Sequence, residues 1–264
     1  MASPNWPLFG VVVLLATVVL VVLSRASSRA ISGDAGPPVD SAGDERHPAD
    51  GPGATSGPPG DGQHPPATPQ ASPVPTGGAL LANVALTQGL LGVGLLVLAW
   101  YASVPLSTLG LVPVTPDALA VGLGVGVGLY VASETATTVA DRAGVDHDER
   151  LRELLAPSRP AEWALLLLVL LPIVAFAEEL LFRGVLVGAL AAGFGLPAWA
   201  LAVVSSALFG GSHSAQGAVG VAVTATLGLV LAAAFVLTGN LAVVVLAHYV
   251  IDALEFVVEE GVRG

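Results

Sequence analysis

The residues of this chain that could do chemistry sit where charge is scarce. Between Trp163 and Ala192 the only formally charged side chains are Glu178, Glu179 and Arg183, held in the run A-E-E-L-L-F-R-G at 177–184. Farther along, Phe209 and His213 are four residues apart, as are His248 and Asp252, with Glu255 seven beyond His248. A charge near the centre of a bilayer-spanning helix costs about 2.5–3.5 kcal/mol on insertion scales. Ionisable groups at that depth are therefore functional candidates whose partners must be found. Glu179 and Arg183 stand acid before base at i, i+4 and should pair on one helix face. Glu178 points about 100° away, toward a different neighbour. His248, Asp252 and Glu255 share one helical stripe.

These residue types suit the activation of water. A carboxylate accepts a proton and a histidine shares or relays it, while a second polar pair can donate to a developing oxyanion. Hydrolysis of a peptide bond inside the membrane fits this inventory. Ser205, Ser206 and Ser212 have no base beside them in a recognisable pattern, and the absence of cysteine excludes thiolate chemistry. Two histidines and a carboxylate would also suffice for catalytic zinc, but the spacing is not H-E-x-x-H. A glutamate–histidine pair activates water unaided, so metal-independent catalysis is the favoured expectation, with a divalent metal such as zinc as the other option. Three further readings use the same residues. One is a structural ion pair with a second buried acid kept neutral. Another is a non-catalytic scaffold or immunity-type protein whose polar groups bind helix to helix. The last is an ion-coupled transporter, for which the expected repeat of helices is not visible.

The elements that must position these residues are membrane helices. The chain has 264 residues, 54% hydrophobic and 11% charged, and a mean hydropathy of +0.80. Soluble domains carry about a quarter charged residues. The apolar runs are long and continuous rather than alternating, which predicts an all-α, polytopic bundle of about seven spans with the site inside it. All nine basic residues are arginine, and twenty acids bring the net charge to −11. Such a composition suggests a high-salt habitat, as in a halophile, and argues against a nucleic-acid partner, since no basic stripe exists to meet phosphates.

In chain order, residues 1–23 read as an N-terminal membrane anchor, apolar from Leu8 to Leu23 and lacking the basic start of a signal peptide. Residues 24–78, rich in Pro, Gly, Ser and Asp, read as a disordered cytoplasmic linker with His47 and His64 solvated. Residues 79–160 hold two spans, about 79–101 and 117–139, and a charged loop over 141–160. The second of these spans carries Gly122, Gly124, Gly126 and Gly128, which permit close packing. Residues 161–258 form a core of four spans, about 161–192 with a kink expected at Pro172, 197–209, 216–237 and 241–258. Residues 259–264 are a tail. With the N-terminus outside and the C-terminus cytoplasmic in the cell membrane, eight of nine arginines face the cytoplasm, and only Arg183 departs from the positive-inside rule.

The motifs E-E-x-x-x-R at 178–183, F-x-x-x-H at 209–213 and H-x-x-x-D at 248–252, with T-G-N-L at 238–241 before the last, resemble in order those of the CPBP family. That family comprises intramembrane proteases and relatives: type II CAAX prenyl endopeptidases, Abi proteins and lysostaphin-resistance-like proteins. The resemblance covers roughly residues 161–258. It implies an endopeptidase acting on a membrane-anchored or prenylated peptide among membrane lipids. It implies Glu178 as the base that activates water with His213, His248 and residue 252 as the oxyanion-stabilising pair, and Glu179 and Arg183 as supports. If a metal takes part, Glu178, His213 and His248 would hold it. The family often has asparagine where this chain has Asp252. An ionised Asp252 could not donate to an oxyanion, so protonation, orientation of His248 or metal binding are its alternative roles.

Overall fold

The computed structural model describes residues 3–33, 77–142, 157, 159–259 and 261. Among these the chain forms seven helical stretches. They are α1 (Trp6–Gly33), α2 (Gly77–Tyr101), α3 (Pro116–Arg142), α4 (Pro160–Phe194), α5 (Ala198–Ser212), α6 (Gly217–Thr238) and α7 (Leu241–Val258). Short 3₁₀ turns over Leu106–Leu109 and Ser214–Gln216 join neighbours. No strand occurs among the described residues. The protein is an all-helical, multi-pass membrane bundle.

Five stretches are long and apolar enough to cross a bilayer: Leu81–Tyr101, Pro116–Val139, Pro160–Phe194, Ser214–Thr238 and Leu241–Val258. The other two apolar helices, Trp6–Val22 and Ala198–Ser212, are shorter. At 1.5 Å per residue α5 reaches only about 22 Å, less than the roughly 30 Å hydrocarbon layer. Its apolar neighbours must cover the difference. Large side chains such as Leu90, Val93, Val97, Leu123, Val127 and Val203 point outward, more than two-fifths exposed, and form the lipid-facing surface.

Most helix boundaries fall within three residues of the sequence reading, and one does not. Helix α1 continues to Gly33, ten residues into the stretch read as linker. Residues 24–32 hold Ala, Arg, Ser and Ile but no Pro or Gly, so an established helix propagates through them at little cost. The linker's remainder, with His47 and His64, lies outside the described residues, as does most of the charged loop over 141–160.

Helix α4 is the axis of the bundle and is not uniform. It opens as α-helix over Pro160–Leu165, widens to π geometry over Leu166–Leu170, returns to α over Leu171–Glu179, and widens again over Leu180–Ala189. The first widening ends just before Pro172, which sits in the opening turn of the following α segment. Proline lacks an N–H and its ring crowds the carbonyl four residues back. A local wide turn accommodates both, as π-bulges do. The second widening begins directly after Glu179 and contains Arg183.

Glycines let backbones approach at two seams. A Cβ on Gly122 would lie 2.8 Å from the Val243 carbonyl oxygen, and one on Gly126 2.7 Å from that of Ala247, so α3 fits directly onto α7. Gly124 and Gly128 face open space. The 3₁₀ turn rests on α4, where a Cβ on Gly184 would stand 2.9 Å from the Leu109 carbonyl oxygen and one on Gly188 would collide with that of Thr108. The backbone then ties the turn to α7: Gly110, at φ 73°, accepts from Leu241 N–H at 2.8 Å. Asn240 caps α7, its side-chain oxygen accepting from Ala242 N–H at 2.9 Å.

The α3–α7 seam should therefore be intolerant at alternate glycines only. Gly126→Val is expected to cost about 1–3 kcal/mol through overpacking, whereas Gly124→Ala should stay within about 0.5 kcal/mol of the parent. Thermal unfolding of the detergent-purified proteins checks the contrast.

Candidate active site

The site begins with the pair that the sequence spacing predicts. Arg183 Nη1 lies 2.7 Å from Glu179 Oε1, and neither side chain is exposed at all. The guanidinium's second nitrogen, Nη2, donates to the Gly228 carbonyl on α6 at 2.8 Å. Its carbon sits 4.6 Å above the centre of the Phe209 ring of α5. Gly228 is required by this geometry. A Cβ there would come within 2.9 Å of Phe209 and 3.1 Å of Nη2. One arginine thus joins α4, α5 and α6.

The same carboxylate oxygen reaches α7. Glu179 Oε1 is 2.8 Å from His248 Nδ1. An ionised carboxylate only accepts, so Nδ1 carries the hydrogen and Nε2 turns to the other side of the ring. There Nε2 meets Asp252 Oδ2 at 3.5 Å, one turn along α7, and Glu178 Oε2 at 3.9 Å. Glu178 does point away from its neighbour in sequence. Its Oε1 accepts from Gln88 Nε2 of α2 at 3.1 Å, and its Oε2 is buried with no hydrogen-bond partner. Exposure rises across the cluster. Glu179 is 0% exposed, His248 9%, Glu178 13% and Asp252 24%. The ion pair is the sealed side and the remaining three groups form the open side.

His213 closes α5 as its C-cap residue. Its Nδ1 is 2.9 Å from the Phe209 carbonyl and 3.3 Å from Ser212 Oγ. A carbonyl accepts only, so His213 is also protonated at Nδ1, with Nε2 left for other partners. Its ring packs on Phe209 at 4.7 Å between centroids, and the same phenyl ring meets His248 edge-on at 5.9 Å. Phe209 is therefore the common wall of both imidazoles and the guanidinium. His213 makes no hydrogen bond to Glu178 among the described residues.

Of the residues singled out from the sequence, Glu178, Glu179, Arg183, His248 and Asp252 form one connected network, and His213 borders it. Glu255 Oε1 accepts from Ser133 of α3 at 3.3 Å. Ser205 and Ser206 donate to the backbone carbonyls of Phe182 and Ala202 at 2.5 and 2.7 Å, so their hydroxyls serve packing. Sequence reasoning passes over Gln88. Its signal was an amide in the apolar part of α2, but nothing in the sequence linked it to Glu178, ninety residues away. Gly228 was equally silent.

The set Glu178, His213 and His248, which a divalent metal would need, is not gathered. No group of three or more His, Asp or Glu among the described residues is arranged to hold a metal ion.

The wholly buried Glu179–Arg183 pair makes a sharp stability prediction. Arg183→Leu strands a buried carboxylate and should cost about 3–5 kcal/mol. Replacing both residues by apolar ones of similar volume should cost less than the single change. Thermal unfolding in detergent of the single and double variants measures the difference.

Residues 160–254 match the family model described as type II CAAX prenyl endopeptidase Rce1-like. No curated protein and no solved structure matches the chain. The match takes in the helices that carry Glu178, Glu179, Arg183, His213, His248 and Asp252, and over that segment the chain is similar to the type II CAAX prenyl endopeptidase-like proteins, which supports the CPBP resemblance of its motifs.

Proposed function

We propose that the protein is an intramembrane endopeptidase that hydrolyses a peptide bond of a membrane-anchored or prenylated substrate with water activated by Glu178. The observation that carries this reading is the unpartnered Glu178 Oε2, buried and 3.9 Å from His248 Nε2. That separation is too long for a direct hydrogen bond and is the kind of gap a water bridges. A buried acceptor without a partner is costly, and a reacting water would satisfy it.

In the proposed reaction Glu178 Oε2 takes a proton from the water as its oxygen attacks the scissile carbonyl carbon. The carbonyl π electrons move onto oxygen, giving a tetrahedral intermediate. His248 in its protonated form donates from Nε2 to that oxyanion, its ring held from behind by Glu179. The intermediate collapses, the carbon–nitrogen bond breaks, and Glu178 returns the proton to the departing amine. His213, fixed at Nδ1, offers Nε2 to the same water or to the amine. Asp252 Oδ2, 3.5 Å from the same Nε2, accepts its hydrogen before the substrate binds and yields it to the oxyanion, a role open to an ionised carboxylate. Glu179 and Arg183 hold the frame.

The substrate class rests on the groove beside the site. A cavity of about 460 Å³ runs between α2 and α4, lined by Val93, Leu96, Leu168, Ile173, Phe176 and neighbours, and it includes Gln88 and Ala177 at the edge of the catalytic cluster. Its wall residues Val93 and Leu168 are 60% and 73% exposed, so it opens on the apolar flank of the bundle. An apolar anchor lying there would set its peptide portion beside Glu178.

The test is incubation of detergent-purified protein with a farnesylated peptide and a panel of leader peptides, with and without chelator. Cleavage by the wild type is expected to fall by roughly 10²–10⁴ in Glu178→Ala and in His213→Ala, with insertion unchanged. Retained activity in both variants would overturn the reading.

A further inference from the structure

Gln88 is the one polar side chain shared by the apolar groove and the catalytic cluster. Its amide nitrogen donates to Glu178 Oε1, which fixes the carboxylate plane and leaves Oε2 as the free oxygen. Because an ionised carboxylate only accepts, the nitrogen must face Glu178 and the amide oxygen must turn away. That oxygen is buried and has no hydrogen-bond partner. Two buried acceptors, Gln88 Oε1 and Glu178 Oε2, thus stand unsatisfied on adjoining side chains. An orphaned acceptor of this kind is expensive in a protein interior.

A peptide entering from the groove brings the complementary problem. Its backbone N–H groups leave water and need acceptors at membrane depth. We propose that Gln88 is a positioning residue that sets substrate register: its amide nitrogen aims the Glu178 carboxylate, and its amide oxygen accepts an N–H from the substrate backbone next to the scissile bond. The inference rests on the endopeptidase reading given above. It adds that an extended backbone is recognised through one amide, so a lipid chain alone is not a sufficient ligand. It also explains why the donor is a carboxamide. Leucine or methionine would fill the same space with neither function, and glutamate would set a second carboxylate against Glu178.

The experiment crosses a protein change with a substrate change. The farnesylated or leader peptide that the wild type cleaves fastest is prepared as the parent and as esters replacing, one at a time, the amides on either side of the scissile bond. Gln88→Met is expected to lower kcat/KM for the parent roughly ten- to a hundredfold, the range for a hydrogen bond to a charged group. One ester should slow the wild type several-fold and leave Gln88→Met unchanged from its own parent rate, and this non-additivity is what a merely structural role would not give. Gln88→Asn, too short for both contacts, should behave as Gln88→Met. An equal ester penalty in both proteins, or a wild-type kcat/KM in Gln88→Met, overturns the proposal. If the wild type cleaves none of the peptides, the endopeptidase reading fails. Equilibrium binding of the farnesylated peptide and its esters to the same two proteins then decides Gln88 separately, with an ester penalty confined to the wild type expected and an equal penalty counting against it.

Discussion

The structure depends on one buried ion pair. Glu179 and Arg183 are adjacent on a single helix, yet each spends its second contact on another: Arg183 on the Gly228 carbonyl of α6 and the Phe209 ring of α5, Glu179 on His248 of α7. Pairs of this kind gain little net energy over a well-packed apolar substitute, because desolvation consumes most of the attraction. Their effect here is geometric. Four helices that offer each other mostly featureless apolar surface are given one arrangement in which the guanidinium and the Glu179 carboxylate meet. In lipid, where burying apolar area does not drive helices together, such polar contacts and close small-residue packing supply the specificity.

That constraint separates two carboxylates that the sequence puts side by side. Glu179 is fully enclosed, and its two partners, Arg183 and His248, share the one oxygen Oε1. Glu178, turned by one residue of helical rotation, reaches the more open side beside His248 Nε2. The two imidazoles are treated alike: each is held at Nδ1 by an acceptor-only group and offers Nε2. Tautomers are set by neighbours that cannot donate. This is inexpensive preorganisation, since a backbone carbonyl and an already paired carboxylate do it.

What the sequence made legible was local. The i, i+4 rule found Glu179–Arg183, Phe209–His213 and His248–Asp252, since those partners lie on one helix and one face. The helix ends at Thr238 and Leu241 fell close to expectation because Gly239 and Asn240 mark them chemically. The two wide-turn segments of α4 were not legible beyond the single flag of Pro172, since π geometry has no strong residue signature. The contacts between helices were hidden for a different reason. Gln88 with Glu178, and Gly228 with Arg183, are pairings of residues 90 and 45 positions apart, fixed by how whole helices dock. The separation of Glu178 from His213 is of the same origin, because motif order says that two helices meet but not how far apart their side chains come to rest.

The groove between α2 and α4 opens on the flank that faces hydrocarbon. A ligand reaching it comes from the bilayer, so its relevant concentration is its mole fraction among lipids. Lipid tails are then competitors at the entrance, present at nearly unit mole fraction. An apparent affinity measured in detergent will scale with the amount of micelle rather than with the volume of buffer. For a protein built this way, occupancy is set first by how strongly a molecule partitions into the membrane and only then by what it touches inside.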